Sequence, residues 1–236
     1  MIRSALSDSL TNLLDLEHAP IAITFHDELP DDGVPRFDEP MSEPTEDGRT
    51  GRAAAPCVFW MQAHQRTFDT LAEDHGNCSV GRFTHGFAEG ADILDKSDVA
   101  ALLDVGWVTM EAFAGVAAMA RRPKGVRYGP LAQATSDPDL VLLRVSPRQM
   151  MEINDAVEVD WSGKPQCQIL PKAAEQGVIA VSMGCALSRA RTGMGDDELT
   201  VAVPGHRIAE LVAALRPVTT ADAAVVGYAM ADLARF

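Results

Sequence analysis

The chain has few basic residues. Its 236 residues include 20 lysines and arginines against 34 aspartates and glutamates, which gives a formal net charge of -14. A surface this negative repels phosphate groups, so nucleic acid and anionic membranes are poor partners. With 47% hydrophobic and 23% charged residues, the composition is nevertheless that of a folded protein with a substantial core.

Long hydrophobic runs are also missing. The longest candidate, residues 99–120, is interrupted by Asp104 and Glu111, whereas a membrane-spanning helix needs about 18 or more apolar residues in succession. The first twenty residues contain no basic start followed by an apolar stretch, so we expect no secretory signal. These absences predict a cytoplasmic protein.

Several common site motifs do not occur. The sequence contains no Walker loop, no His-Glu-x-x-His and no Gly-x-Ser-x-Gly. The acidic residues 193–198 lack the alternating ligands of an EF-hand loop. No two cysteines lie three positions apart, as they would in a zinc knuckle or ribbon. The familiar nucleotide, zinc and calcium sites are therefore not indicated.

Short apolar runs alternate with helical patterns along the chain. We predict strands at residues 21–25, 140–145, 178–181 and 199–203, and helices at residues 4–16, 57–72, 97–103, 110–120, from Ser146-Pro147 onward, and 208–215. No linker or repeat divides the sequence. This alternation predicts a single α/β domain over residues 1–236, with a mixed sheet flanked by helices.

Two segments stand apart from this pattern. Residues 31–55 are rich in Asp, Glu, Pro and Gly and predict a flexible, exposed, acidic loop, with the exposed stretch starting near residue 27. Residues 221–236 are apolar and predict a helix that docks on its own chain. Packing against a second subunit, in a homo-oligomer, is the alternative for this segment.

The strongest indication of chemistry comes from Cys57, Cys78, Cys167 and Cys185. In a reducing compartment they are not expected to form structural disulfides, although buried cysteines can also be plain apolar residues. Cys185 follows the strand predicted at 178–181, at the end where open α/β sheets bind ligands. If a helix starts there, its amide groups and Arg189 would lower the pKa of the thiol.

A second cluster lies in residues 72–78, where a helix end brings together acidic, imidazole, amide and thiol groups. Gly76 would let the backbone approach a ligand closely. His75 and Cys78 are the candidate functional residues of this cluster. A purely structural role, with His75 as a turn residue, is equally compatible with the sequence.

The order of these segments along the chain resembles that of the DUF169 family of uncharacterised prokaryotic proteins. The similarity extends over about residues 6–216. The matching segments are residues 19–25, 56–57, 72–75 with Cys78, 163–171 with Cys167, 181–185 with Arg189, 197–199 and 203–205. The resemblance implies cysteines at the positions of Cys78 and Cys185 but no established activity. This chain departs from the family at Leu187, where a glycine is usual, and in its longer acidic segment.

Three functions are compatible with these observations. The first is a metal or iron–sulfur protein, possessing redox or lyase-type activity on a small molecule, with the four cysteines as ligands and His64 or His75 as substitutes. The second is a metal-free thiol enzyme with Cys185 as nucleophile, His75 as base and Arg189 as anion anchor. The third is a small-ligand-binding module whose pocket is lined by cysteines and by Trp60, Trp107 or Trp161.

Overall fold

The computed structural model describes residues 2–37, 54–233 and 235. These residues form ten α-helices and one seven-stranded mixed sheet, so the predicted α/β class, with helices flanking a mixed sheet, is confirmed. The helices are α1 (Ile2–Leu14), α2 (Pro56–Gln62), α3 (Ser79–Thr84), α4 (Gly90–Leu94), α5 (Ser97–Asp104), α6 (Met110–Ala114), α7 (Pro147–Ala156), α8 (Ile169–Gln176), α9 (Ala186–Thr192) and α10 (Ile208–Leu233). The strands are β1 (Ile21–His26), β2 (Phe68–Leu71), β3 (Gly125–Pro130), β4 (Leu140–Val145), β5 (Asp160–Ser162), β6 (Ala180–Ser182) and β7 (Leu199–Pro204).

The sheet has the order β2-β3-β1-β4-β7-β6-β5. Its pairs are antiparallel except for β5 and β6, which run parallel. Strand β4 is apolar at nearly every position because both of its faces are covered: Val141 and Leu143 pack under α1, α7 and α10, and Leu140 and Leu142 pack under α2 and α8. The sheet therefore lies between two hydrophobic cores.

A third core lies away from the sheet. Helices α3 to α6 bury Val80, Ile93, Val99, Val108 and Phe113 against one another, and they form a helical cap. The cysteines lie where this cap meets the sheet layer: Cys57 and Cys167 pack on the core beneath α2 and α8, and Cys78 packs on the cap.

Several predicted elements were wrong in extent. The helix predicted for residues 57–72 ends at Gln62, and Phe68–Leu71 instead forms edge strand β2, paired with β3 through Phe68 and Tyr128. Pairing with a neighbouring strand overrides the helical spacing of the apolar residues here. The helix predicted for residues 110–120 ends at Ala114, and Gly115 caps it. Strands β3 and β5 were not predicted.

Most of the predicted acidic loop, residues 38–53, lies outside the described residues. Among the described residues of this segment, positions 31–33, 35 and 36 are exposed as expected, whereas Phe37, Ala54 and Ala55 are buried. Phe37 packs against Phe59 with ring centroids 4.8 Å apart, and its N–H donates to the Asp69 carbonyl at 2.8 Å. Ala54 is fully buried and donates its N–H to the Asp74 carbonyl at 2.7 Å. Backbone hydrogen bonds therefore hold both ends of this segment.

The predicted docking of the C-terminal segment on its own chain was also wrong. Helix α10 packs through Ile208, Leu211, Val212 and Leu215, but its last third projects from the body. Its large apolar side chains there are 59–77% exposed: Val225, Val226, Tyr228, Met230 and Leu233. Among the described residues, no helix is both long and apolar enough to cross a membrane.

Candidate functional site

All four cysteines line a single small cavity between the sheet layer and the helical cap. Its volume is about 40 Å³, and the cysteines come from segments separated by up to 128 positions in the sequence (185 minus 57). The other lining residues are mostly apolar: Pro56, Trp60, Val80, Gly81, Asp98, Leu102, Trp107, Pro165, Gln166, Leu187, Ser188 and Arg191. The fold thus brings together the four thiols that the sequence singled out.

Each cysteine stands at the start of a helix. Cys57 follows Pro56 in the first turn of α2, Cys78 is the N-cap of α3, and Cys185 is the N-cap of α9. Cys167 lies in the 3-10 turn Gln166–Gln168, which leads directly into α8. The first N–H groups of a helix have no partner within it, so they are available to donate to a side chain at the helix start.

Backbone amides donate to two of the sulfur atoms in the same way. The N–H of Gly81 donates to Cys78 Sγ at 3.4 Å, and the N–H of Ser188 donates to Cys185 Sγ at 3.3 Å. In both cases the donor lies three residues after the cysteine, as in a side-chain N-cap. Cys78 and Cys185 therefore take the place that serine or aspartate usually occupies at a helix start.

Further hydrogen bonds link the cysteines across elements. The Ser188 side chain contacts Cys57, so α9 reaches the thiol on α2. The Thr84 side chain at the end of α3 contacts Cys167, and the backbone of Gln166 contacts Cys185. These contacts tie α2, α3, α9 and the turn before α8 to one another around the cavity.

Close packing brings α2 and α3 to the same side of the cavity. A Cβ atom on Gly81 would lie 2.6 Å from Cδ of Pro56 and 3.4 Å from Cys78 Sγ. Contacts under 3.0 Å are far inside van der Waals distance, so any side chain here would force the two helices apart. The glycine at position 81 thus sets how near Cys57 and Cys78 can lie.

Burial dominates the acid–base properties of the thiols. It raises the pKa of Cys57 to about 11, raises the pKa of Cys167 well above its ordinary value, and raises the pKa of Cys185. Negative charge on neighbouring cysteines raises each of these pKa values further. The expectation that the start of α9 would give Cys185 a low pKa was wrong, because the loss of solvation outweighs the amide hydrogen bonds.

Arg189 lies outside the cavity lining. Its guanidinium donates to the carbonyl groups of Met183 at 2.7 Å, of Glu198 at 2.9 Å, and of Gly195. It thereby fixes the loop that leads from β6 to Cys185. The lining cation is Arg191, whose charge acts to lower the pKa of Cys57 and Cys185. Arg191 lies three residues after Ser188, so both lie on the same face of α9. This spacing is a signal that the sequence analysis missed.

The two predicted histidines are also placed elsewhere. His75 is fully buried in an aromatic cluster, where its Nε2 lies 2.9 Å from Thr70 Oγ1 and its ring lies 4.8 Å from that of Phe59. Burial holds the pKa of His75 well below its ordinary value. His64 lies beside His18, with ring centroids 4.9 Å apart. Neither His64 nor His75 is among the residues that line the cysteine cavity.

Two lining residues carry buried polar atoms that lack a hydrogen-bond partner within the described part of the chain. These atoms are Nε1 of Trp60 and Oε1 of Gln166, and the two residues are only 1% and 2% exposed. Buried polar atoms are almost always paired, because an unpaired one loses its hydration without compensation. One unsatisfied donor and one unsatisfied acceptor therefore belong to residues of this lining.

Within residues 2–37, 54–233 and 235, no group of three or more His, Cys, Asp or Glu side chains is placed to hold a single metal ion. The four cysteines are free thiols without disulfide bonds. The cavity thus gathers four soft ligands around a shared space without the compact arrangement of a one-metal site.

Comparison with known proteins places the chain in a family without assigning an activity. No curated protein and no solved structure gives a significant match. A family model described as uncharacterised ArCR matches residues 9–214, a range that contains all four cysteines. Since this match covers most of the 236 residues, the chain belongs to the DUF169 family.

Proposed function

We propose that the protein is an iron–sulfur protein in which Cys57, Cys78, Cys167 and Cys185 bind one cluster. The observation that carries this proposal is that all four cysteines of the chain line one small cavity. Four thiolates are the ligand set of a closed cubane cluster, and thiolate is the soft donor that such clusters select.

The size of the cavity favours a compact occupant. One water molecule needs roughly 10–15 Å³ of such volume, and pockets for drug-sized organic ligands span about 300–1,000 Å³. The cysteine cavity, at about 40 Å³, is larger than the space for one water molecule and far smaller than a pocket for a drug-sized ligand. An inorganic group therefore fits better than the organic ligand of a binding module.

A single ion and a cluster differ in the spacing of sulfur atoms that each requires. Tetrahedral zinc, with zinc–sulfur bonds of about 2.3 Å, would require sulfur atoms about 3.8 Å apart. No such one-metal group occurs among the described residues. In a cubane cluster each thiolate binds a different iron atom, so the four sulfur atoms surround a wider space.

The electrostatics also support a bound cationic group over a free reactive thiol. Because the pKa values of Cys57, Cys167 and Cys185 are raised, these thiols stay protonated at neutral pH, and a protonated thiol is a weak nucleophile. Metal binding deprotonates a coordinating thiol outright. The helix N–H groups at Gly81 and Ser188 then donate to the resulting thiolates and stabilise them.

A redox role follows more directly than a lyase role. With four cysteine ligands, every iron of a cubane cluster has a protein ligand, and no iron is left open to bind a substrate. Such a cluster supplies one-electron transfer. The protein's own residues would hold the cluster, donate hydrogen bonds to its thiolates and exclude bulk water through Trp60, Trp107 and Leu102.

Anaerobic purification and reconstitution with iron and sulfide test this proposal. We expect a brown protein with broad visible absorption and about four iron and four sulfide per chain. Single Cys→Ser variants at each of the four positions should lose most of the iron. The matched control is Met183→Leu, since Met183 lies two residues before Cys185 but outside the cavity lining. A colourless protein, or one that binds only zinc, would refute the proposal.

A further inference from the structure

The last third of α10 is an apolar helix with nothing packed around it in the described structure. Residues 223–231 contain no charged side chain. Residues 223–231 and Leu233 are all exposed, with Tyr228 at 77% and Val225 at 64%. The segment also lies beyond residue 214, where the match to the family ends. It therefore lies outside both the matched region and the packed core.

The middle of this projecting helix is intrinsically weak, whereas the alanine, methionine and leucine residues on either side favour a helix. Val225, Val226 and Gly227 are consecutive poor helix formers, with glycine about 1 kcal/mol worse than alanine. Isolated helices shorter than about 12–15 residues are marginal even with favourable sequences. Pro217 separates the segment from the packed part of α10. Its exposed apolar side chains therefore favour a partner surface outside its own chain.

A complementary surface lies on the body of the protein. An open groove of about 570 Å³ runs between α7, β5 and the loops before and after α9, with Met150, Met151, Trp161 and Met183 among its lining residues. Met151, Trp161 and Met183 are 50%, 49% and 65% exposed. Methionine side chains adapt to different apolar shapes, as in grooves that take up helices. Asp196 and Asp197 line the same groove.

We propose that the protein is a two-fold dimer in which residues 223–233 of each copy lie in the methionine groove of the other. The uncharged stretch 223–231 matches the apolar lining of the groove. Arg235, just beyond it, lies 3.3 Å from Asp232 of the same helix, so these two charges balance each other at the end of the exchanged segment. This inference does not depend on the cysteine site or on its occupant.

The area that would be buried distinguishes this exchange from simple pairing of two projecting helices. Residues 223–233 form a cylinder about 16 Å long and 10 Å wide, with about 500 Å² of lateral surface. If half of that surface is buried on a matching groove, each exchanged helix buries about 500 Å² in total, and two bury about 1,000 Å². This sum reaches the lower limit of a stable interface, at about 1,000 Å², whereas helix-on-helix pairing gives only half of it.

Light scattering on the full chain and on variants tests the dimer. We expect the mass of two chains for the wild type and of one chain after deletion of residues 218–236, with the circular dichroism spectrum of a folded body retained because the deleted part adds nothing to the core. Val226→Glu in the helix and Met151→Glu in the groove should each weaken the dimer at least 100-fold. The matched control is Val105→Glu, which places the same charge at another exposed valine and should leave the dimer intact.

Mixing two defective variants tests the exchange itself. Val226→Glu retains a normal groove and Met151→Glu retains a normal helix, so a mixture at high protein concentration should associate through one intact contact more tightly than either variant alone. A monomeric wild type would overturn the proposal, and so would a dimer that survives the deletion. A dimer sensitive to Val226→Glu but not to Met151→Glu would overturn the groove as the partner surface.

Discussion

His75 and Cys78 are three residues apart in the sequence, yet they belong to different regions of the molecule. His75 points into the aromatic cluster with Phe59 and His85, where it is fully buried. Cys78 caps α3 and lines the cavity that it shares with three distant cysteines. The sequence grouped these two residues into one candidate site, and the fold separated them.

The two regions also differ in what surrounds their titratable groups. In the histidine cluster, aromatic rings and Thr70 pack around His75, and burial lowers the pKa values of His75 and His85. In the cavity, helix N–H groups face the thiols, and burial raises the pKa values of Cys57, Cys167 and Cys185. The same physical cause, loss of solvation, keeps both regions neutral. In the cavity, the N–H groups of Gly81 and Ser188 are donors that would stabilise thiolates if a metal is bound as proposed.

The largest expected difference between the regions is in metal content. Cys78→Ser should abolish most iron binding after reconstitution, while the metal-free protein keeps its stability to within about 1 kcal/mol, because serine is a favoured N-cap for α3. His75→Ala should do the opposite. It leaves a buried void and should lower the free energy of unfolding by about 2–5 kcal/mol, with iron binding intact in the folded fraction.

Iron analysis measures the metal content of both variants, and urea unfolding measures their free energy of unfolding. The matched comparison is the wild-type protein prepared without iron. If His75→Ala also removes iron from a protein that is still folded, His75 has a role at the cavity, and the separation of the two regions is incorrect.

The next largest effect is the response to acid, which should originate in the histidine cluster. Burial lowers the pKa of His85 to about 4, whereas the ordinary pKa of histidine in the unfolded chain is about 6.5. Between these two pH values the unfolded chain binds a proton at His85 and the folded chain does not. The stability present above pH 6.5 is therefore lost as the pH falls toward 4, by about 3 kcal/mol from this group alone. Urea unfolding of the metal-free protein between pH 7 and pH 4 measures the slope. His85→Gln should reduce that slope by about one proton, and an unchanged slope would contradict the assignment.

The smallest expected effect comes from the packing that holds α2 against α3. Gly81→Ala places a methyl group 2.6 Å from Cδ of Pro56, so the helices must separate. We expect a loss of about 1–3 kcal/mol in stability and less iron bound per chain. Gly163→Ala is the matched control, because a Cβ there meets nothing within 4 Å. Thermal melts and iron analysis of the two variants decide the point, and equal behaviour would mean that the approach of α2 to α3 does not shape the cavity.

Much of the architecture could be predicted from local patterns. The runs that became β1, β4 and β7 were recognisable because buried strands are apolar at consecutive positions, as in Leu140–Val145. The start of α7 was recognisable from its Ser146 cap and Pro147. Strand β2 was not, because Phe68–Leu71 is extended only through its pairing with β3. The exposure of the end of α10 was likewise hidden, since an apolar segment looks the same whether its partner is the same chain or another.

By itself, the sequence determined the α/β class and the family, because residue type and local periodicity can be read directly along the chain. It named the four cysteines. Only the tertiary structure decided that these four share one cavity, that His75 and Arg189 lie outside it, and that Arg191 and Ser188 lie within it. Proximity between residues more than 100 positions apart results from the packing of helices and strands, and so does the loss of solvation that sets the pKa of each thiol.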